Sequence, residues 1–245
     1  MNDHLIFLIY ILIFVFSTLG YGLMFSRIVD KGLIKYNFGF QGIFGFFFLT
    51  IISIFTSFFL SHDFVHNIGL HLIGILSFIE KKKKFNDLKK LLIVILILYI
   101  GSYVYKNHDD FPYYHLTYAL NLSENQFIVG TGNFSHGFRT FSSLFYFHSI
   151  LFMPFIDYNL FHIGTFLILV FFNLIILSKI FNEIEKNNHR FLAIFSLLAF
   201  IFVNIVFYRI GEHGTDRSAQ ILLLLIFLFF FELVYFEYNE KIFFQ

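Results

Sequence analysis

Three polar stretches interrupt an otherwise apolar chain, and each groups residue types that can move protons or hold phosphate. The first is Asn107-His108-Asp109-Asp110-Phe111-Pro112-Tyr113-Tyr114-His115, with adjacent carboxylates between two imidazoles. Neighbouring carboxylates repel each other, so a proton, a cationic ligand or a divalent metal must offset the pair. A carboxylate held beside an apolar surface can act as a general base, which makes Asp109, Asp110 and His108 the catalytic candidates and His115 a substrate contact. The same residues also describe a helix boundary, with Asp caps and Pro112 opening a new helix.

The second stretch, Gly130-Thr131-Gly132-Asn133-Phe134-Ser135-His136-Gly137-Phe138-Arg139, combines a turn with exposed N–H groups and a fixed positive charge. His136 and Arg139 suit a phosphate, although no strand precedes the glycines and no Gly-Lys-Ser/Thr follows them. The alternative is a loop that only turns the chain back. The third, Tyr208–Gln220, is the densest polar segment between two apolar runs. Arg209 and Arg217 can clamp a diphosphate, Glu212 or His213 can exchange a proton, and Asp216 completes the set. A bare connection needs fewer residues than this.

These groups must be positioned by helices that cross a bilayer. Of the 245 residues 58% are hydrophobic, mean hydropathy is +0.76, and charged residues are only 13%, about half the usual soluble share. No single core of this size hides that much apolar surface, so the excess must face lipid. With no Cys, disulfides, thiolate metal sites and Cys nucleophiles are excluded. Net charge is +1, which makes nucleic acid an unsuitable partner and membrane lipids the expected one.

Apolar runs of near-spanning length cover Leu5–Phe25, Phe38–Leu60, Phe64–Ile79, Leu91–Tyr105, Phe161–Leu177, Phe191–Phe207 and Ile221–Phe236. The first lacks a basic leader and a small-residue cleavage site, so it reads as a retained helix. A shorter run, Phe141–Ile156, carries His148 and Pro154. The expected fold is all-α: one polytopic transmembrane helix bundle of about seven spans plus one interfacial or re-entrant helix. Residues 1–105 supply the first four helices, 106–160 an outer loop with the interfacial helix, and 161–245 the remaining helices.

Orientation follows the basic loops. Lys81–Lys84 with Lys89 and Lys90, and the loop with Arg27, Lys31 and Lys35, both read as cytoplasmic. That puts the N-terminus outside, in the inner membrane of a bacterium, and sends the 106–140 segment outward. If Phe141–Ile156 does not span, Tyr208–Gln220 lies outside too, which is the topology adopted here. If it spans, that segment is cytoplasmic. Inside the runs, His71 and His148 are either functional groups or neutral imidazoles bonded across helices. The Gly39, Gly42, Gly45 spacing reads as helix packing.

His108-Asp109-Asp110, following an outward helix at the head of a large outer loop, resembles the acidic pair of the integral-membrane glycosyltransferases that use polyprenyl-phosphate-linked sugars. Phe141–Ile156 looks like their interfacial helix. The acidic pair follows the fourth span here, where that superfamily usually has it after the first, and no His-Pro-Pro-Leu type sequence is present. The resemblance covers about Leu91–Gln220 and implies an inverting sugar transfer. Asp109 or Asp110 would be the base, and Arg139, Arg209 and Arg217 would stabilise the leaving lipid phosphate. Because such enzymes are usually longer, it also implies a piece of one or a divergent relative. Competing readings are a surface-polysaccharide polymerase or ligase, a transporter, or a non-catalytic membrane subunit. A transporter would place its polarity at mid-membrane rather than in loops.

Overall fold

The computed structural model describes residues 2–29, 32, 37–79, 85–102, 105–106, 109–186, 190–208, 211–212 and 215–243. Every apolar run of spanning length becomes a helix. The long helices are α1 (Asn2–Val29), α2 (Phe38–Ser57), α3 (Phe64–Ile79), α4 (Phe85–Ser102), α7 (Ile163–Lys186), α8 (Arg190–Val206) and α9 (Asp216–Phe243). Two short ones, α5 (Leu116–Glu124) and α6 (Ser143–Ser149), lie between α4 and α7. Four segments are long and apolar enough to cross a membrane: His4–Val29, Phe38–Ser57, Tyr158–Asn182 and Asp216–Phe236. Helices α3 and α8 are apolar but shorter, and α4 starts with Asp87, Lys89 and Lys90.

Helix α7 is the axis of the bundle. Its residues Phe166 to Phe172 are fully or almost fully buried, and it packs against α2, α4, α8 and α9. By contrast α9 lies outermost, exposing Leu223, Ile226, Phe227 and Phe230. Such apolar exposure exceeds what a monomer in water normally tolerates and suits a bilayer.

Glycine sets the closest approaches. A Cβ on Gly45 would overlap the Thr18 carbonyl of α1, and one on Gly22 would overlap the Gln41 carbonyl of α2. Gly39 and Gly42 instead admit Ile175 and Phe171 of α7. The glycine row of α2 therefore serves two neighbours, as small residues do in packed transmembrane helices. Polar side chains add ties between helices. Tyr21 donates to the Leu70 carbonyl at 2.9 Å, and Asn173 and Asn204 exchange amide hydrogen bonds of 3.0 and 2.8 Å. Lys179 of α7 pairs with Glu232 of α9.

The Phe141–Ile156 run is not one continuous helix. Helix α6 has only seven residues, and the chain then turns over Ile150–Asp157, where Met153 and Asp157 form an antiparallel bridge. Phe145 to Leu151 and Met153 are buried, while Phe141 and Phe155 at the two ends are exposed. The Phe147 ring packs tilted against Phe46 on α2, with ring centres 4.1 Å apart. The helix ends at Ser149, and further on Pro154 and the positive-φ backbone at Phe155 and Asp157 turn the chain.

Candidate functional site

Two remote segments meet at one end of the bundle. Tyr105–Lys106, after α4, pairs in parallel with Gly211–Glu212, before α9, in the register Tyr105 to Gly211 and Lys106 to Glu212. The acidic pair follows the first of these strands and Asp216-Arg217 follows the second. Beyond Asp110 the backbone makes a wide helical turn, Phe111–His115, that runs on into α5. Pro112 sits at its start, as the helix-boundary reading expects, and the Asp110 carbonyl accepts from the Tyr113 and Tyr114 amides at 3.2 and 3.1 Å.

The Asp110 side chain does not cap that turn. It takes the Tyr114 hydroxyl instead, and Asp216 lies within electrostatic reach of the same phenol. Burial first, then the Asp110 and Asp216 carboxylates, push the Tyr114 phenol above its ordinary range. A phenol held protonated this way keeps its O–H to donate to a carboxylate. Its ring packs edge-on to Phe145, with ring centres 6.1 Å apart, and leaves no room for a Cβ at Gly137. Tyr114 thus links the acidic pair, the head of α9, the glycine-containing loop and α6.

The predicted residues fall unevenly around this centre. Asp109 is exposed and Asp110 half-buried. His115 is buried against Phe145, with ring centres 5.2 Å apart. Asp216 is exposed and Arg217 half-buried in the first turn of α9, where a carboxylate is favoured by the helix dipole. His136 and Arg139 lie on an exposed turn, with Arg139 Nε donating to the Gly132 carbonyl at 2.9 Å. That bond ties Nε alone to the loop's own backbone. Glu212 enters only through its backbone pairing. His108, Arg209 and His213 lie outside the described residues. Among the described residues, no group of three or more His, Asp or Glu is placed to hold a metal ion.

Beneath this surface lies a buried polar seam that the loop motifs did not reveal. His62, in the turn between α2 and α3, bonds Ser149 Oγ through Nδ1 at 2.6 Å and Thr56 Oγ1 through Nε2 at 3.0 Å. The Asn67 amide nitrogen faces three carbonyls, those of His62, Ser149 and Phe152, at 2.8, 2.9 and 2.9 Å. His71 donates from Nε2 to the Ile150 carbonyl at 2.9 Å, with Ser17 Oγ 3.0 Å from Nδ1. His71 therefore fits the neutral, cross-bonded imidazole among the two expectations. These contacts satisfy the carbonyls that α6 and the following turn would otherwise leave orphaned. His148 differs: its buried Nε2 has no hydrogen-bond partner among the described residues and faces Gly164. A signal for the seam was present, since Asn67, His71, Gly74 and Phe78 share the buried stripe of α3.

Fold and site together define a helical bundle with membrane-length helices and polar segments gathered at one end. The chain belongs to the family described as Domain of unknown function (DUF8201), which matches residues 4–244. No curated protein and no solved structure matches it.

Proposed function

We propose that the chain crosses a bacterial inner membrane about seven times, on α1 to α4 and α7 to α9, with α5, α6 and all three polar stretches at the outer face. At that face it transfers a sugar from a polyprenyl-phosphate donor. The observation that carries this reading is the pairing of Tyr105–Lys106 with Gly211–Glu212, which gathers carboxylates and Arg217 at one end of an apolar bundle. In the transfer, an acceptor hydroxyl attacks the anomeric carbon while the bond from that carbon to the phosphate oxygen breaks. The lipid phosphate leaves with the electron pair, and the hydroxyl proton goes to a carboxylate. Asp109 suits the base, being exposed. Asp110, whose lone pair receives the Tyr114 hydroxyl, suits a positioning role. Arg217 and Arg139 are the described cations that can meet the departing phosphate.

The test is release of prenyl phosphate by the purified chain in proteoliposomes supplied with a panel of prenyl-phosphate-linked sugars. Asp109→Asn lowers turnover by about two to four orders of magnitude, and Asp110→Asn lowers it less. Full turnover in Asp109→Asn removes that residue from the mechanism. Absence of turnover with every donor favours the competing reading, a non-catalytic subunit. That reading is supported by the outward face of α9, whose Leu223, Ile226, Phe227 and Phe230 suit a partner helix as well as lipid.

A further inference from the structure

A space between helices lies at the end of the bundle opposite the acidic pair. A cavity of about 350 Å³ opens between the start of α2, the start of α4 and the last turns of α7. Its walls are Phe38, Ile93, Val94, Leu174 and Leu177, and its mouth carries Asn37, Asp87, Lys90, Ser178 and Phe181. Apolar below and polar only at the helix ends, it has the layering of a single lipid molecule rather than of a water-filled site. Val94 and Leu174 at its floor are buried, so it is a recess into the bundle and not a groove along its surface.

The mouth says which lipid. The Lys90 ammonium stands 5.9 Å from the centre of the Phe181 ring, which holds the charge over the opening. Lys89 follows the same first turns of α4, and Lys81, Lys82, Lys83 and Lys84 precede them in the chain, against Glu80 and Asp87. The Asn37 side-chain oxygen is committed to the Phe40 amide at 3.1 Å, so the group this residue can offer a headgroup is its amide N–H. We propose that this recess binds one anionic phospholipid, with an acyl chain between Val94 and Leu174 and the headgroup phosphate at Lys90. Asp87 opposes the headgroup and moderates its retention. A zwitterionic lipid can fill the same apolar space but lacks the net charge that Lys90 recognises. The inference does not depend on the sugar-transfer reading, which concerns the other end of the molecule.

The chain has no Trp, so a single Trp reports locally. Phe181→Trp puts the only emitter at the mouth, and Phe227→Trp puts it on the outer face of α9 as a control. Both full-length proteins are reconstituted in vesicles of brominated phosphatidylglycerol or brominated phosphatidylcholine, each mixed with unbrominated phosphatidylcholine, and quenching gives relative lipid affinity. Expected is a preference for phosphatidylglycerol of about fivefold at Phe181→Trp, the size of one interfacial lysine contact, and none at Phe227→Trp. Lys90→Gln, an exposed change, abolishes the preference, and Asp87→Asn increases it. Val94→Phe, which fills the floor, lowers quenching by both lipids at the mouth. The proposal is overturned if the two Trp positions show the same ratio, if the preference survives Lys90→Gln, or if Val94→Phe leaves quenching unchanged while the protein stays monodisperse.

Discussion

Replacing Asn67 by Ala removes a side chain that is fully buried and faces three carbonyls at 2.8 to 2.9 Å. The amide carries two hydrogens, so about two full bonds are lost, at a net ~1 kcal/mol each. The carbonyls of His62 and Phe152 then lose this donor, Ser149 keeps only the longer bond from Ser123 Oγ at 3.5 Å, and an orphaned carbonyl costs about 1–3 kcal/mol. Because one small void can admit a water that serves more than one of them, the terms do not add, and ~3 kcal/mol is the expected loss. For a chain of this size that corresponds to a fall in melting temperature of about 6–12 °C. Asn67→Asp is harsher despite nearly identical shape, since it sets an anion against three carbonyl oxygens. Two assays report the effect. One is thermal unfolding followed by size-exclusion in detergent. The other is thiol labelling of Met153→Cys, a buried position in the turn after α6 that is unique because the chain has no native Cys. The variants should melt lower, and Met153→Cys should react faster in them. A melting temperature within 2 °C of the parent, together with unchanged labelling, would refute the claim that this amide holds the turn inside the bundle.

Further expectations concern the same framework. Burial first, then the neighbouring His66, push His62 down to about 3, so the folded protein keeps it neutral. The sign follows: its contribution is complete above pH 6.5, shrinks as pH falls below that value, and is exhausted near pH 3, with about 2 kcal/mol lost at pH 5. Melting temperature measured from pH 7.5 to 5 should fall, and His62→Gln should flatten the slope; an unchanged slope in that variant contradicts the assignment. Gly45→Val drives a side chain into the Thr18 carbonyl and should leave little monodisperse protein. Gly69→Ala, with open space around it, should be neutral or stabilising by up to about 1 kcal/mol, as helix propensity dictates. Similar behaviour of the two glycine variants in a solubility screen would mean that α1 and α2 do not approach as described.

Hydrophobic patterning made the seven long helices legible, because an apolar run with no polar periodicity has few alternatives to a helix. Leu91–Tyr105 and Phe191–Phe207 could be read directly, and the structure extends or trims them only at their ends. The glycine row of α2 was legible as packing for the same reason. The short helices were harder. Helix α5 hides in a polar segment, since only Tyr118, Ala119, Leu122 and Ser123 face inward. Helix α6 could be set apart as too short to span, but not placed. Its position depends on His62 and Asn67, contributed by a turn and a helix far away in sequence, and single-chain periodicity carries no such information. The candidate site divides in the same way. Asp110 was legible from its neighbour and its setting after a helix. The role of Tyr114 was not, because a Tyr in an aromatic-rich loop has no spacing that marks it as the hub between Asp110, Asp216 and Gly137.

The central claim is that the segment after α4 and the segment before α9 form one site at one face of the membrane. Oxidative cross-linking in native membranes tests it most directly, because the chain is free of native Cys. Lys106→Cys and Glu212→Cys are register partners in adjacent strands, a separation of about 5 Å that a disulfide spans without backbone movement. The account predicts rapid, near-complete cross-linking of the pair, and none between Lys106→Cys and a Cys at Lys179 on the last turns of α7. Failure of Lys106→Cys and Glu212→Cys to cross-link, with each labelled from a different side of the membrane, would contradict the shared site.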